Sequence, residues 1–215
     1  MSTRPAGSPL RIEAGPGVWA ALAYAPSDTG LPTTRDRADA MRLPPRRRID
    51  RLGARGLLRG LLSERFPEAA DADVVYEPSG RPVLLGHPRI GISVSHSNGA
   101  YAACAALGRA VGIDVQPVPS ELSDPLLRWC TPNRQQELTA LPPRRRAAEF
   151  AWIWTVKEAC GKALGTGLAD DTFTLDVPRG TARGTWGPYQ WVSLRQRSPL
   201  PLSCAFSSIM NGEFK

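Results

Sequence analysis

The chain of 215 residues carries 27 Lys and Arg against 20 Asp and Glu, a formal net charge of +7. That length suits one to two domains and allows a sizeable core without disulfides or a structural metal. Hydrophobic residues make up 42% but lie in runs far short of a membrane span, and no charged segment followed by an apolar one opens the chain. Membrane, secreted-scaffold and wholly disordered classes are set aside, and a soluble cytoplasmic protein is expected.

In chain order, residues 1–10 are rich in Pro, Gly and Ser and are expected to fray. Residues 18–24 form an apolar run suited to a strand. Residues 35–62 read as helix broken at Pro44-Pro45, with Ile49, Leu52, Leu57, Leu58, Leu61 and Leu62 recurring at helical spacing among arginines. A short strand at 74–76, a turn at Pro78-Ser79-Gly80 and a stretch at 81–85 follow. From Gly91 the period becomes two: Ile92 and Val94 point one way, Ser93 and Ser95 the other, and Ser97-Asn98-Gly99 supplies a turn. Strands at 101–107 and 111–115 follow, the second with Val111, Ile113 and Val115 on one face and Gly112 and Asp114 on the other, where Gly112 is read as leaving open space. Three antiparallel strands are the simplest arrangement.

The Pro-rich stretch 117–125 is expected to be a linker or flap, and 133–138 a short helix. Residues 144–164 form a Pro-free helix ending at Gly165-Thr166-Gly167. The tail alternates at Phe173, Leu175 and Val177, then over 189–194 and 202–206. The fold class expected is α+β: two similar halves, 1–115 and 116–215, with no repeat visible in the sequence and the active site in the cleft between them. The four cysteines show no C-x-x-C pair and only two His exist, so they read as small buried hydrophobes and zinc is not expected.

Four segments bear chemistry. The first is Phe150–Leu164, apolar yet carrying Lys157, Glu158 and Lys162, with Glu158 and Lys162 sharing a helical face at i,i+4. Either it holds an ordinary helical ion pair, or it presents a carboxylate and an ammonium to a metal–phosphate substrate. The second is Asp114, a poor strand former in mid-strand: either it faces solvent, or it converges with Glu158 on a Mg²⁺ site, since that ion takes one or two carboxylates plus phosphates and waters. The third is the turn Ser93–Gly99, where Ser95, His96, Ser97 and Asn98 either close a hairpin or supply donors to phosphate oxygens. The fourth is 42–59, with seven Arg against Asp50, a local net of +6. It reads as a solvated face, as a grip on a phosphate monoester, or as a nucleic-acid surface, the last weakened by the lack of aromatic residues among the arginines. The rest of the chain has few alternatives to Arg: 24 of the 27 cations are Arg, and two of the three Lys are Lys157 and Lys162.

Taken in order, these segments resemble the Sfp type of 4'-phosphopantetheinyl transferase. Its G-[IV]-D appears as Gly112-Ile113-Asp114, its W-x-x-K-E-A-x-x-K as Trp154 to Lys162, its S-x-S-H-S as Ser93 to Ser97, and its G-[KR]-P as Gly80-Arg81-Pro82. The resemblance runs from about residue 20 to 205. It implies a pseudo-twofold α+β monomer that binds coenzyme A between its halves. Asp114 and Glu158, joined by Gln116, would hold Mg²⁺; Lys162 and Lys157 would meet phosphate oxygens, as would Ser95 and His96. Arg47 or Arg48, with Arg55, Arg81 and Pro82, would surround the adenosine and 3'-phosphate. A serine of an acyl or peptidyl carrier protein would attack the β-phosphate and 3',5'-ADP would leave, with Glu158, directly or through a water molecule, taking the serine proton. No nucleic acid or membrane partner is expected; the alternatives are an inactive coenzyme A-binding relative and an Arg-rich nucleic-acid binder. Two departures stand out: Gln116 where many members have an acid, and Arg134 where an acid is common. An acidic carrier would suit a basic rim with exposed apolar residues around Leu126–Trp129.

Overall fold

A computed structural model describes residues 8–25, 30–167 and 170–209, with backbone alone at 170 and 171. Two antiparallel sheets stack face to face, and a long helix covers the outer face of each. The first sheet has the order β1(Leu10–Gly15), β2(Val18–Ala23), β6(Ala100–Leu107), β5(Ile90–Ser97), β4(Pro82–Leu84), β3(Val74–Tyr76); the second has β7(Val111–Val115), β10(Leu202–Ser207), β9(Tyr189–Ser193), β8(Arg183–Trp186). The fold class is α+β.

Period two along each strand sorts side chains between the layers. Ala20, Leu22, Ala102, Cys104 and Ala106 meet Val111, Ile113, Val115, Cys204 and Phe206 between the sheets. On the outer face of the first sheet, Ala21, Ala103, Ala105, Ile90 and Ile92 pack on α2(Pro45–Arg65), whose Ala54, Leu57, Leu58, Leu61 and Leu62 form one stripe. On the outer face of the second, Trp191 and Ala205 pack on Val156, Ala159, Cys160 and Ala163 of α5(Pro143–Leu164). All four cysteines are free and buried, as their composition suggested.

The break at Pro44-Pro45 separates α1(Thr34–Met41) from α2, as expected. Both α2 and α5 open with proline at the first helical position, where the missing N–H costs nothing. They also open with the same six residues, Leu-Pro-Pro-Arg-Arg-Arg, at 43–48 and 141–146, so a short repeat is present after all. In each copy the last Arg folds back onto the carbonyls that end the preceding segment. Arg48 donates to Met41 and Leu43 oxygens, both at 3.4 Å; Arg146 donates to Thr139 at 2.9 Å and Leu141 at 3.2 Å. Helix α5 stops at Gly165 in the left-handed region, φ 90°, which glycine adopts without steric cost.

Several expectations change. Leu10, expected to fray with the residues before it, opens β1 and pairs with Leu22 of β2, a strand not expected from the sequence; residues 1–7 lie outside the described residues. The strand at 111–115 does not extend the hairpin of β5 and β6 but pairs with β10, so the first half lends an edge strand to the second sheet. Part of the flap is helical, as α3(Asp124–Cys130), capped by Ser123; α4(Gln135–Thr139) is the short helix expected. Phe173 lies in α6(Asp170–Thr174) rather than on a strand, and β8 adds an edge that its polar sequence concealed.

Gly112 does not leave open space: a Cβ there would lie 2.0 Å from the Ala159 oxygen and 2.5 Å from the Ala163 nitrogen, so α5 rides backbone to backbone on β7. Gly112→Ala should therefore force the helix off the strand and cost about 1–3 kcal/mol, the range for overpacking a close contact, read as a lowered urea midpoint.

Candidate active site

One cleft of about 580 Å³ opens between the two long helices. Its walls come from Arg51 and Ala54 of α2, Tyr76 of β3, the turn 79–82, Ser93–His96 of β5, Asp114, Val115 and Gln116, then Trp154, Glu158 and Lys162 of α5 with residues 165–167. The three segments that carried the strongest sequence signals thus meet at one place.

β7 is the edge of its sheet, and its inner flank is satisfied by side chains. Ser93 Oγ accepts from the Ile113 amide at 3.2 Å, and Ser95 Oγ accepts from the Val115 amide at 3.4 Å while donating to Asp114 Oδ1 at 2.7 Å. Ser97 Oγ donates to Gln116 Oε1 at 3.2 Å. From the other side, Lys162 Nζ donates to Asp114 Oδ1 at 2.7 Å and to the Ile113 carbonyl at 3.1 Å. Asp114 is only 6% exposed, which removes the solvent-facing reading. Lys162 reaches across to Asp114, which removes the reading of an ordinary ion pair along the helix.

Glu158 lines the same cleft. Burial first, then the nearby Asp114 charge, pushes its carboxyl up to about 7, with Lys162 pulling the other way. His96 is about half exposed, with Nδ1 3.9 Å from Asp50 Oδ2; burial, opposed by Asp50 and aided by Lys162 and Arg51, holds its ring below the ordinary value. Trp154 stacks on Phe150 at 6.0 Å.

The arginines divide differently from expectation. Arg81 and Pro82 line the cleft, with Arg81 held by both carboxylate oxygens of Glu77 at 2.9 Å. Arg55 turns away from it. With Arg59 it is buried against Asp36 of α1, at 3.8 and 2.8 Å, and Arg59 also donates to the Ala70 and Ala72 carbonyls. Burial raises the Asp36 carboxyl, but the Arg59 hydrogen bond and the two guanidinium charges outweigh that and hold it low. Arg48 is committed to its corner carbonyls, and Arg47 is exposed outside the cleft.

Lys157 also points elsewhere. It is 2% exposed and donates to the Phe173 carbonyl at 2.7 Å, and burial lowers its pKa to about 8. One residue step around a helix turns a side chain by about 100°, so Lys157 cannot share the face of Glu158. Arg134, the departure at 134, makes a two-pronged ion pair with Asp176 at 2.7 and 2.5 Å and ties α4 to the chain after α6.

The residues that sequence reasoning did not single out are Arg51, Tyr76 and Trp154. Arg51 lies one turn from Arg55, and its guanidinium sits 5.5 Å from the Tyr76 ring centre. No spacing separates the two arginines: Arg55 also meets Tyr76, donating to its hydroxyl at 2.8 Å, but it lies buried beside Asp36.

A family model of the 4'-phosphopantetheinyl transferase superfamily matches residues 110–198. The matched segment holds Asp114, Gln116, Glu158 and Lys162. The chain is 38% identical over 109 residues to L-aminoadipate-semialdehyde dehydrogenase-phosphopantetheinyl transferase of Eremothecium gossypii, covering 47% of this chain and 40% of the relative. It is 30% identical over 139 residues to 4'-phosphopantetheinyl transferase HetI of a Nostoc species, covering 62% and 58%. It is 29% identical over 90 residues to a 4'-phosphopantetheinyl transferase of Bacillus subtilis, covering 42% and 40%. The chain thus spans about half the length of these curated transferases.

Glu158 binds its proton more tightly in the folded chain than in the unfolded one, where the value is 4.5. Unfolding therefore releases a proton between those values, and stability falls as pH rises from about 4.5 through about 7. Glu158→Gln should flatten that part of a stability–pH curve measured by urea unfolding.

Proposed function

We propose that this protein transfers the 4'-phosphopantetheine group of coenzyme A to a serine of an acyl or peptidyl carrier protein, releasing 3',5'-ADP. The observation that carries this reading is the convergence of Asp114, Glu158 and Lys162 on one cleft, inside the segment that matches the superfamily. We read the molecule as a cytoplasmic monomer of two pseudo-twofold halves; the shared Leu-Pro-Pro-Arg-Arg-Arg corner supports the two halves alone.

The donor set fits Mg²⁺. Among the described residues no three His, Cys, Asp or Glu side chains gather as a metal site, so a cation here would rest on two carboxylates, a number Mg²⁺ accepts when phosphates and waters complete its shell. The Asp114 charge that raises Glu158 is the electrostatic demand a cation would meet. Asp114, Glu158 and the Gln116 amide oxygen would hold it. When bound, it would supply positive charge to the diphosphate oxygens.

The chain's own groups do the remainder. Lys162, held by Asp114 and the Ile113 carbonyl, places an ammonium beside the departing phosphate of 3',5'-ADP. Arg51, Arg81 and His96 face the rest of the coenzyme, with Tyr76 and Pro82 beside them. Glu158, directly or through a water molecule, takes the proton of the attacking serine. The serine oxygen forms a bond to the β-phosphorus as the bond to the bridging oxygen breaks. Against a nucleic-acid reading stands the burial of Arg55 and Arg59 on Asp36, which takes two of the seven arginines of the basic run out of reach of a phosphate backbone.

Incubation with coenzyme A, Mg²⁺ and an apo carrier protein should add a phosphopantetheine mass to the carrier, read by intact-mass spectrometry. Asp114→Ala and Glu158→Ala should each slow transfer about 100-fold or more, and Lys162→Met should also impair it. Lys157→Met, remote from the cleft, should stay within about threefold of the parent, a change of under 1 kcal/mol in barrier. No mass gain with tight coenzyme A binding would mark an inactive relative instead.

A carrier docks on the basic rim with Leu126 and Trp129, both exposed on α3. Its kcat/KM should fall as salt rises from low to physiological ionic strength, and a salt-insensitive value removes the electrostatic part of this docking.

A further inference from the structure

We propose that Ser95 is a positioning residue that orients the Asp114 carboxylate, and that it does not contact the coenzyme's phosphates. This rests on the transferase reading above. Ser95 is 6% exposed on β5, and its hydroxyl donates to Asp114 Oδ1 at 2.7 Å. The same oxygen, Oδ1, takes the Lys162 ammonium at 2.7 Å. Two donors on one oxygen fix the rotation of the carboxylate and leave Oδ2 as the oxygen for a ligand in the cleft.

Proton accounting excludes a double role. A serine hydroxyl has one proton to give, and that of Ser95 goes to Asp114. The oxygens of a diphosphate at neutral pH only accept. A phosphate could engage Ser95 only by taking the proton from Asp114, while the Val115 amide already occupies the accepting side of the hydroxyl. Ser93 and Ser97, two residues to either side, also face this joint: Ser93 accepts from the Ile113 amide and Ser97 donates to Gln116 Oε1. The three hydroxyls therefore act as one ladder whose middle rung carries the carboxylate.

Two titrations of the full chain separate the roles. Mn²⁺ uptake is followed by electron paramagnetic resonance, and coenzyme A binding by calorimetry in EDTA. Ser95→Ala should weaken Mn²⁺ binding about tenfold, the low end for loss of a partner behind a metal ligand, and leave coenzyme A affinity in EDTA within about twofold. Ser95→Thr, which keeps the hydroxyl, should restore Mn²⁺ binding. If Ser95→Ala does not fold, Ser95→Cys, a weaker donor, is read on the same two titrations with the same expectation. A variant that loses coenzyme A affinity in EDTA while keeping Mn²⁺ uptake overturns the proposal in favour of a phosphate contact, and one that changes neither overturns it outright. A parent protein whose Mn²⁺ uptake is absent, or unchanged in Asp114→Ala, overturns the metal assignment and the proposal together.

Discussion

The joint between β5 and β7 is the contact on which the rest depends. A strand at the edge of a sheet, buried between two layers, carries backbone groups that water cannot reach, and each left unpaired costs roughly 1–3 kcal/mol. Here the strand on the other side is not a ladder partner. Side-chain hydroxyls from Ser93 and Ser95 take the amides of Ile113 and Val115, and the Lys162 ammonium takes the Ile113 carbonyl. Residue Ile113 is thus satisfied on its free flank by two elements that belong to different layers. The joint fixes how the sheets meet, and the cleft is the gap the meeting leaves.

The second constraint is the close ride of α5 on β7. Because Gly112 lets the helix backbone touch the strand, Asp114, next along the same face, comes within reach of Lys162, and Glu158 lines the same cleft. Two carboxylates and one ammonium half-buried together are an expensive arrangement in water-free surroundings. Burial, and after it the Asp114 charge, raises the Glu158 carboxyl to about 7.

Much of this was legible in the residues. The helix breaks at paired prolines, the glycine stop after 164, the hairpin around Asn98-Gly99 and the site acids all declared themselves through local chemistry. What escaped was decided by pairing at a distance. The strand at 111–115 has the same alternation whether it adds to the first sheet or the second, and only its register against Leu202–Phe206 settles which. Likewise Arg48, Arg51 and Arg55 recur at helical spacing; their fates differ because carbonyls take Arg48, Arg51 meets the Tyr76 ring from the cleft, and Arg55 is buried between that tyrosine and the Asp36 carboxylate. The period-two serines show no sign in the sequence of their partners across the joint, where Ser93 and Ser95 meet β7 and Ser97 meets Gln116.

The repeated corner at the head of α2 and α5 gives the molecule an internal control. Counted from their first prolines, Arg59 and Lys157 occupy the same helical position, and each is a buried cation that grips a carbonyl of the segment following its own helix. Arg48 and Arg146 correspond in the same way. Glu158 and Lys162 have no such twins: their counterparts are Gly60 and Glu64. The positions matched in kind, Arg59 with Lys157 and Arg48 with Arg146, tie each helix to its neighbours, whereas Glu158 and Lys162, which line the cleft, are matched by unlike residues. The same opening hexapeptide thus heads two helices with different duties: α5 brings an acid and an ammonium to the cleft, and α2 does not bring their like from the matching positions.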